Sequence, residues 1–152
     1  MPAAQHSVTI RRPVAEVFAF VADGEHAGKW RPGVLDAEHV FGTGVGAVYR
    51  QGVKGPGGRR IAADYELTDY ELNRRLAFKT IAGPVRPTGE FRFEEADGGT
   101  RVTLSLDAAL SGIKKLLLGG AVQKTMEAEV KALENLEPAM PPPERIRGRT
   151  GT

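Results

Sequence analysis

Apolar residues recur at Leu118, Val122, Met126, Val130 and Leu133, in steps of three and four that draw one stripe along a helix. The helix is expected over residues 111–137, with Ser111 as its N-cap and Pro138 as its stop. Upstream, the pattern has period two. Residues 5–12 alternate, with Val8 and Ile10 on one side and Ser7, Thr9 and Arg11 on the other, as a half-buried strand requires. Pro13 ends that strand and opens a helix whose apolar face is Val14, Val17, Phe18 and Val21, closed by Asp23 and Gly24. Residues 25–30 allow one more short helical turn before the Arg31-Pro32-Gly33 break. Strands follow near 36–42, 46–54, 59–70, 74–82, 87–96 and 100–110, punctuated by Gly- and Pro-rich turns as in an antiparallel meander.

These strands are one-sided. Ile61, Ala63, Tyr65 and Leu67, then Leu76 and Phe78, then Phe91 and Phe93, then Val102, Leu104 and Leu106 share one face. Glu66, Lys79, Glu90, Arg92, Thr103 and Ser105 occupy the other, so the sheet is wet on one side and covered on its opposite side. Only the last helix is long enough to be the cover. A bulge near Gly52 or Gly89 would reverse which side chains point inward. Within the helix, Gly119-Gly120 costs roughly 1 kcal/mol per glycine and calls for a reason. A kink there, separating a mobile lid at 113–118 from the packed helix, is one expectation; close packing on the sheet is the other.

Composition narrows what such a fold can do. A chain of 152 residues fits one domain, expected over 1–137, followed by a disordered or extended Pro/Arg-rich tail at 138–152 that has no periodicity. With no cysteine there is no disulfide, thiolate nucleophile or Cys-based metal site. His6, His26 and His39 lack metal-ligand spacing, so neither a metal nor a cofactor is expected. The net charge of +2 belongs to the tail, where Arg145, Arg147 and Arg149 face Glu144. A neutral domain argues against nucleic acid as a partner. No apolar run approaches the ~20 residues of a membrane span and residues 1–5 lack signal-peptide features. A cytoplasmic protein without stable membrane insertion, monomer or homodimer, is the expectation.

Several segments resemble a known family. Val8-x-Ile10-x-x-Pro13-x-x-x-Val17-Phe18-x-Phe20-Val21-Ala22-Asp23, ending in Trp30, is similar to the opening of the START-like superfamily, particularly its polyketide cyclase/dehydratase-like branch. Residues 65–70 leading into Arg75-Leu76-Ala77-Phe78, and Gly98-Gly99-Thr100-Arg101-Val102-Thr103, resemble its later strands. The resemblance covers about residues 5–137. It implies an α+β helix-grip fold, in which a curved antiparallel sheet of about seven strands wraps a long C-terminal helix, with two short helices after the first strand. Family members bind lipids, hormones and polyketides in a cavity between sheet and helix, so chemistry has to be argued from the site.

If the apolar strand face lines a cavity, the candidate ligand-binding residues are Trp30, Tyr49, Gln51, Tyr65, Phe78, Thr80, Phe91 and Phe93 from the sheet side, and Leu117, Val122 and Met126 from the helix. Trp30 is a core plug or a pocket wall; the tyrosines are core residues or pocket residues. Arg31, beside Pro32, reads most simply as a solvated loop residue, and alternatively as a stabiliser of enolate charge with Tyr49 or Tyr65 as proton donor. No carboxylate pair or Ser/His spacing marks a catalytic centre, so the catalytic residues are unknown. Gly42-x-Gly44-x-Gly46 lies between strands, which suits a tight bend rather than a phosphate loop. The readings are binding of a small hydrophobic or aromatic, lipid- or polyketide-like molecule without clear catalysis; a cyclase/dehydratase-type enzyme; and a protein–protein interaction module.

Overall fold

The computed structural model describes residues 3–109 and 112–142, with side chains described over 3–109 and 119–142. Strand β1 (Ala3–Ile10) leads through α1 (Val14–Ala22), a 3-10 turn at Gly24–His26 and α2 (Ala27–Trp30) into the meander. The meander comprises β2 (Val34–Phe41), β3 (Val48–Lys54), β4 (Arg60–Ala62), β5 (Tyr65–Glu71), β6 (Arg75–Thr80), β7 (Thr88–Ala96) and β8 (Gly99–Asp107). Helix α3 (Gly112–Lys131), a 3-10 turn at Ala132–Asn135 and α4 (Leu136–Ala139) complete the described chain. The sheet runs β1-β8-β7-β6-β5-β3-β2, with the short β4 pairing β3 off this path, and all pairs are antiparallel. This is the α+β helix-grip arrangement that the family resemblance implies and that the one-sided strands match.

Alternation places the inward rows as expected. Leu76 stands opposite Phe91, Phe78 opposite Gly89, Phe91 opposite Leu104 and Phe93 opposite Val102. A register shift does fall at Gly52, between the Val34–Val53 and Asp36–Gly52 pairs, but its extra residue, Leu35, lies in β2, so β3 keeps its alternation. None interrupts the pairing at Gly89, and further shifts lie between His39 and Phe41 in β2 and between Leu67 and Asp69 in β5. The β5 shift turns Tyr70 inward beside Leu76, where its ring meets Phe18 edge-on at 5.4 Å. The strand expected over 59–70 is instead two, β4 and β5. At the break, the Asp64 carboxylate accepts the Gln51 amide at 3.2 Å, a bond that a ladder carbonyl would otherwise take. Tyr49 pairs with Tyr65 and Gly52 with Ala62, so the strand resumes in phase.

Side chains tie both outer edges of the sheet down. Gln123 of α3 accepts from the Ala3 amide at 2.9 Å and donates to its carbonyl at 2.7 Å, while Glu25 accepts from the His39 amide of β2 at 2.9 Å. Edge groups so occupied are poor templates for pairing with another chain.

The helical stripe packs as its spacing requires: Met126, Val130, Leu133 and Leu136 are buried with Ile10, Phe18, Phe93, Val102 and Leu104 in one core. Leu118 and the N-cap assigned to Ser111 lie outside the described side chains. Two expectations change. Helix α3 continues through Gly119-Gly120, and the departure from α geometry comes at Ala132–Asn135, where the tighter turn draws Leu133 and then Leu136 into the core. Pro138, expected to stop the helix, instead lies in the first turn of α4, where an amide has no intrahelical partner to lose. The chain leaves the helix at Met140, which is itself buried. No helix among the described residues is long and apolar enough to cross a membrane.

A Cβ at Gly119 or Gly120 meets nothing within 4 Å, so close packing on the sheet does not explain the pair either. Gly120→Ala is therefore expected to stabilise the protein by about 0.5 to 1 kcal/mol, read from the urea midpoint. A lower midpoint would show that the helix needs the glycine's backbone freedom.

Candidate functional site

The inner face of the sheet carries a continuous run of aromatic rings. From the β2 edge inward, His39 meets Tyr49 at 5.0 Å, Tyr49 stacks on Tyr65 at 5.2 Å, Tyr65 meets Phe78 at 5.6 Å and Phe78 meets Phe91 at 6.2 Å. Phe91 then joins Trp30 edge-on at 6.2 Å and Phe93 at 6.3 Å. The run exists because neighbouring strands place these rings on one face at cross-strand or diagonal positions.

Burial along this face is graded. Leu76 is 2% exposed but Phe78 and Thr80 are half-buried; Phe93 is 4% exposed but Phe91 is half-buried; Leu67 is 7% exposed but Tyr65 is half-buried. In each row exposure rises toward the end of the sheet that carries the β3–β4 and β6–β7 loops. At the opposite end α1 closes the interior, with Val17 at 0% and Phe18 at 1%.

One polar network crosses this interior. Arg31 donates from Nε to Glu129 Oε1 at 3.2 Å, from Nη2 to Glu129 Oε2 at 2.7 Å and from Nη1 to Gln51 Oε1 at 3.0 Å. Gln51 Nε2 in turn donates to the Ala63 carbonyl at 3.2 Å. The fork-on-fork pair joins the α2–β2 connection to α3, and Asn135 adds a second tie by donating to the Trp30 carbonyl at 3.1 Å. Burial of Arg31 disfavours its charge, but the Glu129 carboxylate outweighs this and holds the guanidinium above its ordinary pKa.

The two inward tyrosines of the ring series, Tyr49 and Tyr65, differ. The Tyr49 hydroxyl reaches the Ala22 carbonyl at 3.4 Å, whereas the Tyr65 hydroxyl has no hydrogen-bond partner among the described residues. It lies against Gly24, where any Cβ would collide with the phenol oxygen and with the Tyr49 ring. Burial pushes the Tyr65 phenol well above the ordinary tyrosine range, against the opposing pull of the Arg31 charge. At neutral pH it is therefore a neutral hydroxyl able to donate.

The structure brings Trp30, Tyr49, Tyr65, Phe78, Phe91 and Phe93 into one ring contact series and sets Thr80 opposite Tyr65. Trp30 is 4% exposed and meets Phe91 edge-on, so it packs in the core beside the half-buried rings. Gln51 belongs to the Arg31 network; Met126 is buried and Val122 packs partly buried against the core. The side chain of Leu117 lies outside the described residues. Arg31 is not the solvated loop residue that its place beside Pro32 suggests: its side chain is 20% exposed and bonded inward. Sequence reasoning passes over Glu129 altogether. Its signal was available, since it stands three residues after Met126 and four before Leu133, on the apolar stripe itself.

An open groove of about 770 Å³ lies on the other face, lined by Gln5, Arg75, Ala77, Lys79, Glu90 and Ser105 among others, and only Phe78 of the expected site residues touches it. Its polar side chains already serve one another: Arg75 pairs with Glu90 and Asp69, and Ser105 donates to Gln5 at 3.0 Å. The inner face, with half-buried rings and a hydroxyl uncommitted among the described residues, is the better candidate.

A family described as polyketide cyclase / dehydrase and lipid transport matches residues 1–140. No curated protein matches the sequence. Among solved structures, TTHA0849 from Thermus thermophilus is 25% identical, with a TM-score of 0.77, covering 91% of this chain and 97% of its own. The Zhui aromatase/cyclase of a Streptomyces species is 20% identical at TM-score 0.66, covering 91% and 90%. A START superfamily protein from Mycobacterium smegmatis is 16% identical at TM-score 0.67, covering 91% and 96%. The last two likenesses are of fold.

Two measurements test the site's physics. Glu129→Leu alone is expected to cost about 2 to 3 kcal/mol, because Arg31 keeps its charge without its partner, while adding Arg31→Met recovers most of the loss. Equal losses in the single and double variants in urea would refute the coupling. For Tyr65, the unfolded phenol ionises near its usual pKa of about 10 while the folded one stays protonated, so stability is full below that pH and falls as pH rises past it. Tyr65→Phe should make the fall between about pH 9 and 11 shallower; an unchanged slope would contradict the raised pKa.

Proposed function

The chain belongs to the polyketide cyclase / dehydrase and lipid transport family, and on that premise we propose that it binds a small hydrophobic or aromatic molecule between the sheet and the C-terminal helix. The observation that carries this reading is the graded burial of the inward rings: Tyr65, Phe78 and Phe91 touch in sequence, yet the core leaves them half-covered at one end. Apolar area supplies the affinity, at roughly 25 cal/mol per Å² removed from water, and the Tyr65 hydroxyl supplies one oriented hydrogen bond. Val122 and Met126 form the helix wall, where the unbranched Met126 adapts to the shape of what binds.

A second reading, a cyclase-type enzyme, is favoured by one observation. The Tyr65 phenol, unpartnered among the described residues, lies near the Arg31 guanidinium, which pairs a proton donor with a positive charge for a developing enolate oxygen. Glu129 already compensates that charge, which weakens its pull on an enolate and leaves binding as the preferred reading.

The neutral dye N-phenylnaphthylamine, excited by energy transfer from Trp30, the only tryptophan, tests the reading. Saturable binding is expected, weakened about tenfold by Val122→Phe, which fills the space beside the rings. Non-saturable binding, or binding indifferent to Val122→Phe, would overturn it.

A further inference from the structure

Charge is not spread evenly over this near-neutral domain. Lys54 ends β3, the β3–β4 connection carries Arg59, and the β6–β7 loop carries Arg86; all three are exposed and enter no ion pair among the described residues. The two loops are neighbours, since Gly83 packs directly on the Ala62 carbonyl and the Ile81 amide donates to Asp64 at 2.7 Å. Lys54 also donates its amide to Gly33, beside Arg31, at 2.8 Å. Of the acids at this end, Asp36 is held by Arg60 and the Asp64 carboxylate accepts from the Gln51 amide, which leaves exposed Asp107.

Helix α3 starts at the same end, after β8, and its first turn holds Lys114 and Lys115 with no acidic residue. At the opposite end the hairpin tips carry both signs: Asp69 and Glu71 pair with Arg75, and Glu95 and Asp97 share their hairpin with Arg101.

This is the end toward which the aromatic face loses its cover. Positive charge therefore rims the opening of an apolar interior, while inside, the Arg31 guanidinium is already matched by Glu129. An apolar body fits the rings and an acidic head fits the rim. Resting on the reading of the interior as a ligand site, we propose that the molecule bound there is an anionic amphiphile, whose aromatic or aliphatic body lies along Tyr65, Phe78 and Phe91 and whose carboxylate, sulfate or phosphate head remains at the opening among Lys54, Arg59 and Arg86.

Anilinonaphthalene sulfonate carries the body of N-phenylnaphthylamine and adds one negative charge, so the pair isolates the head. At low salt the sulfonate is expected to bind about tenfold tighter than its neutral parent, by energy transfer from Trp30, with the margin shrinking as salt rises. The triple variant Lys54→Glu, Arg59→Glu, Arg86→Glu, all at exposed positions, should erase that margin and leave the neutral dye unchanged. Neutral dye bound with no advantage for the sulfonate, or an advantage that survives the triple variant, overturns the proposal while leaving the ligand site standing. Failure of both dyes to bind overturns both. Sedimentation with phosphatidylglycerol vesicles separates two sources of the head: pelleting abolished by the triple variant assigns it to a membrane lipid, and protein left in the supernatant assigns it to a free acid.

Discussion

One helix has to cover one face of a seven-strand sheet, and most of the architecture follows from that mismatch. Strands spaced about 4.8 Å apart make a flat face near 30 Å wide, whereas a helix with its side chains is only about 10 to 12 Å across. The sheet must curve toward the stripe of Met126, Val130, Leu133 and Leu136 or leave its apolar rows in water. Helix α1 adds cover at one end only. The interior is consequently sealed where Val17 and Phe18 lie and unfinished where Phe78 and Phe91 lie, so the proposed site is what remains after the cover runs out.

The polar groups inside follow the same geometry. A helix laid across a concave sheet needs a fixed lateral position, which apolar contacts alone specify weakly because they are non-directional. The Arg31–Glu129 fork and the Asn135–Trp30 bond are directional, and both reach from the C-terminal helical segment to the α2–β2 connection. They hold the helix over the core, where Met126 is buried and Val122 packs against it. Gln51 then satisfies the remaining guanidinium edge, so a charge deep in the fold is both paired and hydrogen-bonded.

Much of this was legible in the amino-acid sequence because the patterns are local. In β6, β7 and β8 the two-residue alternation runs unbroken, which is why Leu76, Phe78, Phe91, Phe93, Val102 and Leu104 could be assigned to one face. Where a local rule is interrupted, the reading loses its grip. The shift after Leu67 carries Tyr70 to the inner face against simple alternation, and the carboxylate of Asp64 divides a segment that otherwise scans as one strand. Arg31 and Glu129 stand 98 residues apart, so their partnership has no signature at any short spacing. Gly119-Gly120 looked like a breaking point because helix propensity is a weak prior, and the buried stripe downstream carries the helix through it. Glycine at 24 makes room for a phenol from β5, a demand invisible in its own neighbourhood.

The jog between β4 and β5 also sets an arithmetic for how this chain can change length. Because Tyr49–Tyr65 and Gly52–Ala62 share one register, residues 63 and 64 act as a spacer of even parity between two ladder segments. Adding or removing residues there in pairs keeps Tyr65 facing the rings, whereas a single insertion or deletion turns Tyr65 outward and Glu66 to the inner face. Length variation at this junction is thus quantised: relatives with even differences can keep the inner face, and those with odd ones must rebuild it.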